Sequence, residues 1–460
     1  MPIVAKKPGF AICLVSAIAA LAGLLFGFDT GIISGALLFI QKSFVLTTGL
    51  KEIIVSSVLL GAMAGSLCGG RLTDKYGRRR IMLLISLLFI TGTLIAALAN
   101  SVAMIIIGRL FIGLAIGIGS YTAPLYIAEA APFEWRGGLV SLNQLAITIG
   151  IMSSYFINYA FVNSHGSWRW MFAIGIIPAV LLGLGMLFLP ESPRWLVKQQ
   201  QISKARETLQ YLRANTNVDH EVSAIEHSLS MRQAGFKELF APWIRGVLLL
   251  GIFLGFLQQV TGINTIIYYA PTIFQLAGFH STSNTILTTV GIGIVNVLST
   301  VFAIYYLDRL GRRPLLFAGL IGMGLSLFCL SMAFYVGTHT DYLRWIAVAS
   351  TFVYIISFAF SLGALLWLMV AEIFPLEIRG AAMGVAVFSC WFWNFAVSAT
   401  FLSLLNALGP VKTFLGYTFM CVIGFIVSYF FVPETKGVSL EQIEENIRAG
   451  LPLRKIGAPF

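Results

Sequence analysis

The sequence predicts an all-α membrane protein: twelve transmembrane helices in two six-helix, pseudo-symmetric halves, with a short cytoplasmic helical linker between them. Three observations predict this. The chain is poor in charge, its apolar runs have the length that crosses a bilayer, and a set of motifs occurs twice in the same order.

Of 460 residues, 58% are hydrophobic and 11% charged, whereas a soluble domain is about 25% charged. A water-soluble chain of this length has too little interior to hide so much apolar side chain, so lipid must solvate most of it. Glycine, at 45 residues, suits helices that approach closely in a membrane. The cysteines Cys13, Cys68, Cys329, Cys390 and Cys421 lie in apolar stretches without metal-ligand spacing. They read as small buried residues, so neither a metal nor a cofactor is expected. The net charge is +11, but the basic residues fall in short loops between apolar runs. There they act as topology signals, not as a nucleic-acid footprint. Lys6 and Lys7 precede a long apolar run with no small-residue cleavage site, so the first helix is expected to be retained.

A helix needs about 20 apolar residues to cross the hydrocarbon core. Runs of that kind occupy 10–39, 52–71, 81–99, 102–128, 138–161, 169–189, 246–277, 285–307, 314–336, 344–373, 381–406 and 413–432. The segments RLTDKYGRRR (71–80), 190–245 and DRLGRR (308–313) are basic, while 100–101, 162–168 and 278–284 carry no Lys, Arg, Asp or Glu. The positive-inside rule then places the basic loops and both termini in the cytoplasm; the composition fits a multi-pass protein of the inner (cytoplasmic) membrane. Within the long 190–243 connection, ARETLQYL and EVSAIEHSL have the pattern of amphipathic helices lying at the membrane surface.

The repeat sets the domain organisation. Asp74 in GRLTDKYGRRR recurs as Asp308 in YLDRLGRRP, 234 residues on; IAEAAPFEWRG recurs as VAEIFPLEIRG and PESPRWL as PETKG, each 243 residues on. Motifs recurring in order at nearly one offset indicate a duplication, with parallel repeats and a substrate site at their interface. The division expected is 1–189 and 244–432 as the two halves, 190–243 as linker and 433–460 as a cytoplasmic tail.

Eight motifs in order carry a resemblance over nearly the whole chain: FGFDTGIISGAL (26–37), DKYGRR (74–79), AEAAPFEWRG (128–137), PESPRW (190–195), QQVTGINTIIYYAP (258–271), DRLGRRP (308–314), AEIFPLEIRG (371–380) and PETKG (433–437). On these the chain resembles the sugar porters of the major facilitator superfamily. That group includes bacterial galactose–proton and xylose–proton symporters, inositol symporters and mammalian facilitative glucose transporters. The resemblance implies the major facilitator fold and transport by alternating access.

The paired charged motifs have a physical reading of their own. Asp74, Arg78 and Arg79 are expected beside Glu129 and Arg136 in one half, and Asp308, Arg312 and Arg313 beside Glu372 and Arg379 in the other. Acid and base at helix ends can bridge neighbouring helices; in similar transporters such pairs lock one state and break on the swing to the other. As topology signals alone each pair at a wet surface would contribute about 0–1 kcal/mol. The gating reading gains from the recurrence of acid together with base, since topology needs only the base.

Asp29 and Arg109 are the ionisable side chains clearly inside apolar runs. At 1.5 Å per residue both lie about 10–15 Å below the outer surface. Opposite charges at one depth in one half are expected to pair, and an intramembrane charge marks a functional site by default. Exposure to an acidic outside would favour protonation of the acid and release from Arg109; exposure to the cytoplasm would favour the reverse. A structural ion pair is the other reading. The resemblance implies symport, because proton-coupled relatives carry an acid in this FG-x-D motif where facilitative ones carry an amide.

A sugar presents hydroxyls around an apolar face and asks for fixed amides and an aromatic wall, not charge. The seventh run offers Gln258, Gln259 and Asn264, which share a face only if the helix breaks, and Gly262 supplies a place for that. Gln144, Asn296 and Asn394 are further amides; Phe26, Tyr268, Trp367 and Trp391 are aromatics. The resemblance implies that the matching positions line the central cavity. Singly, an amide fits an interhelical hydrogen bond and a Trp fits an interface anchor. Cys390 departs from the pattern, standing where many sugar porters have Gln or Asn.

The function expected is proton-coupled symport of a monosaccharide, a hexose or a pentose, by a carrier that works as a monomer in a lipid bilayer. An inositol or polyol symporter and a facilitative uniporter are the alternatives. An enzyme is not expected, since the five histidines all fall in loops or the linker. Nor is an ATP-driven pump, since no GxxxxGK[ST] loop occurs.

Overall fold

The computed structural model of the chain describes residues 9–213, 218–230, 236–337, 341–375 and 377–458, without the side chains of Ser230, Phe236, Lys237, Asp308 and Asp341. Among the described residues the regular structure is helical, with no strand.

Twelve helical spans are long and apolar enough to cross a membrane. They are α1 (Phe10–Ser43), α2 (Thr48–Tyr76), α3 (Arg78–Ala97), α4 (Val102–Ala130), α5 (Phe133–Ala160), α6 (Ser167–Phe188), α7 (Arg245–Leu276), α8 (Thr282–Leu310), α9 (Arg312–Val336), α10 (Tyr342–Ile373), α11 (Arg379–Ser398) and α12 (Phe401–Phe431). Large apolar side chains such as Leu67, Leu87, Leu184, Leu298, Leu325 and Phe430 are exposed along these spans, as a lipid-facing surface requires.

The helices run past the apolar limits where polar residues still favour a helix. α2 carries on through Arg71–Tyr76, a stretch the sequence reads as loop. Its joint to α3 is Gly77 alone, at φ 94°, and Gly311 at φ 89° joins α8 to α9 in the same way. Four spans are interrupted. α6 breaks near Gly175, and α7 breaks at Gly262, whose φ of 95° lies in the left-handed region. α10 breaks at Phe360–Ser361, and α12 leaves helical geometry at Gly409, before Pro410. The eleventh span was expected to reach 406 but stops at Ser398. There Thr400 Oγ1 donates to the Ala396 carbonyl (2.7 Å), a local bond that competes with the helix ladder.

The linker contains helices Pro193–Lys198, Ile202–Leu212 and Asp219–Ser230. Leu196, Val197 and Ala205 form one buried cluster with Trp195, Ile202, Ile225 and Leu229 around it; Leu209, Val218 and Val222 form a second. The amphipathic faces read for a membrane surface are therefore covered by one another.

The described chain divides into two compact units. One takes in Met1–Asp29, Leu60–Ile151 and Arg169–Arg232; the other takes in Thr30–Leu59, Met152–Trp168 and Gln233–Phe460. The boundary runs through α1, α2, α5 and the first turn of α6; the division expected from the repeat falls at residues 189 and 243. Several polar ties lie inside the second unit. Glu52 is buried and accepts from the Ser403 N–H and Oγ, both at 2.7 Å. Asn406 Nδ2 donates to Thr48 Oγ1 (3.0 Å), and Asn158 Nδ2 to the Gly31 carbonyl (3.3 Å).

Candidate functional site

In the first unit, α1 and α4 bring Asp29 and Arg109 together as expected. Arg109 Nη1 and Nη2 face the two oxygens of Asp29, each at 3.3 Å, and both side chains are almost wholly buried. The fork geometry is bidentate, but each contact is longer than the about 2.7–2.9 Å usual for charge-assisted bonds. Gly27, two residues before the acid, sets α1 backbone to backbone with α5: a Cβ there would collide with the Ile147 carbonyl.

The charged motifs resolve into two matching clusters. In the first unit Arg78 Nε and Nη2 hold Glu129 at 2.7 and 2.8 Å, and Nη2 reaches Asp74 at 3.2 Å. Ser192 Oγ donates to Glu129 at 2.5 Å, and Lys198 pairs with Asp74 at 3.1 Å. In the second unit Arg312 Nη2 and Nε hold Glu372 at 2.7 and 3.2 Å, and Thr435 Oγ1 donates to the same acid at 2.5 Å. Arg79 and Arg313 do not reach these acids. They donate to carbonyls at the ends of α6 and α12, those of Met186, Leu187 and Tyr429. Arg136 is exposed and lies over the Phe133 ring, and Arg379 Nε donates to the Phe374 carbonyl. Among the described residues neither forms an ion pair. The Asp308 side chain lies outside the described residues.

Sequence reasoning assigned no role to Glu191 and Glu434. Glu191 accepts the N–H groups of Arg78 (2.8 Å), Arg79 (3.2 Å) and Ser192 (2.8 Å). Glu434 accepts those of Arg312 (3.0 Å), Arg313 (2.9 Å) and Lys436 (3.0 Å). Each acid caps the helix that carries its arginine, α3 or α9, where backbone donors have no intrahelical partner. Burial pushes the Glu191 carboxyl above its ordinary value, against these bonds. At Glu434 burial pushes the same way, but the three N–H bonds outweigh it and the carboxyl sits below its ordinary value. The signal was in the repeat: the offset of 243 carries Glu191 onto Glu434 and Ser192 onto Thr435.

In the second unit the break in α7 gathers the three amides. Gln258 Nε2 donates to the Leu362 carbonyl (3.0 Å), Gln259 Nε2 to Gln258 Oε1 (3.0 Å), and Asn264 Nδ2 to Gln259 Oε1 (2.6 Å). Cys390, buried on α11, joins them: Gln259 Nε2 donates to its sulfur (3.0 Å), and the thiol donates to Gln258 Oε1 (3.2 Å). Two tyrosines support the broken helix. Tyr354 Oη donates to the Thr261 carbonyl at 2.8 Å, and Tyr155 Oη to that of Ile267 at 3.0 Å. Ile267 lies four residues before Pro271, which has no N–H to return.

The remaining expected residues are distributed as follows. Tyr268, Asn296, Trp391 and Asn394 are buried in the second unit and Trp367 is half-buried there; Phe26 and Gln144 are half-buried in the first. Among the described residues no three His, Cys, Asp or Glu side chains are grouped to hold a metal.

A model of the family described as "Sugar (and other) transporter" matches residues 15–447. The chain belongs to the sugar transporter family. This sugar transporter is 41% identical over 465 residues to the galactose–proton symporter of Escherichia coli strain K12, with 99% of each chain covered. It is 41% identical to the glucose transporter GlcP of Staphylococcus epidermidis, covering 95% of this chain and 97% of that one. Its fold matches the proton:xylose symporter XylE bound to 6-bromo-6-deoxy-D-glucose with a TM-score of 0.80 at 34% identity, covering 95% of this chain and 98% of the other. The chain therefore has the major facilitator fold, with its twelve spans as two six-helix halves, and is a multi-pass membrane protein.

Proposed function

We propose that the chain is a proton-coupled monosaccharide symporter that works by alternating access. Sugar and proton are its transported partners, and no catalytic step is involved. The observation that carries this reading is the buried, bidentate Asp29–Arg109 pair in α1 and α4. A buried carboxylate held by one arginine at 3.3 Å is placed to exchange that partner for a proton, and loss of the ion pair changes how the two helices hold together. Relatives that move galactose and xylose with protons support the coupling. A facilitative uniporter, in which the pair is structural, is the competing reading.

The sugar site is assigned to Gln258, Gln259 and Asn264, with Gln144, Asn296, Asn394, Phe26, Tyr268, Trp367 and Trp391 as further lining. A hexose or pentose is favoured over inositol by the galactose, glucose and xylose carriers among the relatives. Gating is assigned to the Arg78–Glu129–Asp74 and Arg312–Glu372 clusters, with the two halves rocking as bodies. Arg79, Arg313, Arg136, Arg379 and Asp308 belong to the same motifs. The charge pattern of the loops supports cytoplasmic termini, and function as a monomer in the inner membrane is part of the same proposal.

Counterflow in proteoliposomes against a panel of hexoses, pentoses and inositol tests the substrate class. With the transported sugar known, Gln258→Ala should weaken binding about two- to tenfold, the loss of one neutral hydrogen bond, with protein yield kept. Unaltered calorimetric affinity in alanine variants of all three amides would place the site elsewhere.

A further inference from the structure

A buried acid outside the sugar and proton sites lies near the start of α2. Glu52 sits one turn into the helix and is 4% exposed. Both of its oxygens go to one residue of α12. The Ser403 N–H donates to Oε1 and the Ser403 hydroxyl to Oε2, each at 2.7 Å. One turn further along α12, Asn406 Nδ2 donates to Thr48 Oγ1 at 3.0 Å.

The first N–H groups of a helix have no partner inside it. α12 starts at Phe401, and the residue before it, Thr400, turns its hydroxyl back to the Ala396 carbonyl and makes no cap. Glu52 supplies the missing acceptor, with a negative charge where the helix dipole is positive. α12 therefore takes its N-terminal cap from another span.

α2 belongs to the first six spans and α12 to the last six. Each is also held by a neighbour from its own six. α2 lies backbone to backbone on α4, since a Cβ at Gly61 or Gly65 would collide with the carbonyl of Leu110 or Leu114. α12 is held to α7: the Phe401 ring lies 5.1 Å from that of Tyr269, and Tyr269 Oη donates to the Ser398 carbonyl at 3.0 Å. Hydrogen bonds have a short reach, so a movement that parts the starts of α2 and α12 breaks the three bonds between them together. Water can take over the acid, hydroxyls and amide once they part, whereas a parted apolar contact would stay unfavourable in water. The joint is thus built of groups that suit both its closed and its open form.

We propose that Glu52, Ser403, Thr48 and Asn406 form the outer latch of the transport cycle: Glu52 caps α12 while the outer ends are together, and the cap is given up when they open. The inference rests on the alternating-access reading and on the cytoplasmic placement of both termini, which puts the starts of α2 and α12 at the outer face. Glu52 is a positioning residue. It touches no substrate and sets how often the carrier opens outwards.

The test uses purified full-length protein in lipid nanodiscs, with Cys13, Cys68 and Cys329 replaced by serine and spin labels at Ile53 and Leu408, both exposed. Pulsed electron resonance then gives the distances between the starts of α2 and the first segment of α12, without any sugar. Glu52→Ala loses both bonds to Ser403 and should shift the ratio of short to long distances about tenfold or more towards long. Ser403→Ala keeps its N–H and should shift it less. The two substitutions together should add nothing to Glu52→Ala alone. Where Glu52→Ala yields no folded protein, Glu52→Gln and Ser403→Ala carry the same readout. In proteoliposomes, Thr48→Cys with Asn406→Cys, cross-linked by oxidation, should stop counterflow until reduced, and neither single variant should respond to oxidant. Unchanged distances in the folded Glu52 and Ser403 variants, or full counterflow through the verified cross-link, overturn the latch. Distances that shift as expected in a protein that moves no sugar overturn the transport reading and leave the joint between α2 and α12 standing.

Discussion

Asp29→Asn should abolish accumulation of sugar against a gradient while exchange of labelled sugar across a membrane with no gradient survives at least in part. The side chain keeps its shape but no longer titrates, so the proton gradient loses its handle on the conformational cycle. Binding and rocking need no net proton movement and should persist. Because Arg109 is fully buried beside Asp29, removing the negative charge takes a charged partner from a buried cation, at a cost of about 3–5 kcal/mol. Asp29→Asn combined with Arg109→Gln relieves that cost. If the double variant is well folded and exchanges sugar but does not concentrate it, coupling and folding are separated. Liposomes bearing either variant that still concentrate sugar after an imposed pH step would locate the coupling group elsewhere.

Arg78→Ala should destabilise the protein by about 3–5 kcal/mol, the cost of stranding a buried partner. Both side chains of the Arg78–Glu129 pair are 6% exposed, and Ser192 and Asp74 lean on the same two groups. Arg312→Ala should cost less, because Glu372 is 18% exposed and water can take over part of its solvation. Arg78→Lys should recover only part of the loss, since an ammonium cannot grip both oxygens of Glu129 as a guanidinium does. Thermal unfolding of the variants in detergent gives the order. Equal, small shifts for Arg78→Ala and Arg312→Ala would mean that both clusters behave as wet surface pairs. Transport by the folded fraction should slow in both variants, as a gating role requires.

Much of the fold was legible because lipid imposes a length on each apolar run. Helix ends were less so, since α2 continues through Arg71–Tyr76 on residues that hydropathy reads as loop. The break at Gly262 was visible from the glycine; those near Ser361 and after Ser398 carry no Gly or Pro at the break itself. Asp29 and Arg109 stood out as opposite charges in apolar surroundings. Glu52, at the edge of its apolar run, did not, and its burial depends on Ser403, 351 residues away. The amides of α7 were visible singly, but their order was not: it is set by a backbone carbonyl, a group every residue has. Glu191 and Glu434 were in plain view inside repeated motifs, yet their task, capping α3 and α9, depends on where those helices start in space.

The central claim is that sugar and proton cross together, and the most direct measurement is the pH of a weakly buffered medium. Proteoliposomes holding the unmutated protein receive a pulse of the transported sugar with no other gradient present. The account predicts an immediate alkalinisation of the outside medium, dependent on the sugar and lost in Asp29→Asn. Sugar entry with no change in external pH would make the protein a uniporter, with Asp29 and Arg109 as a structural pair.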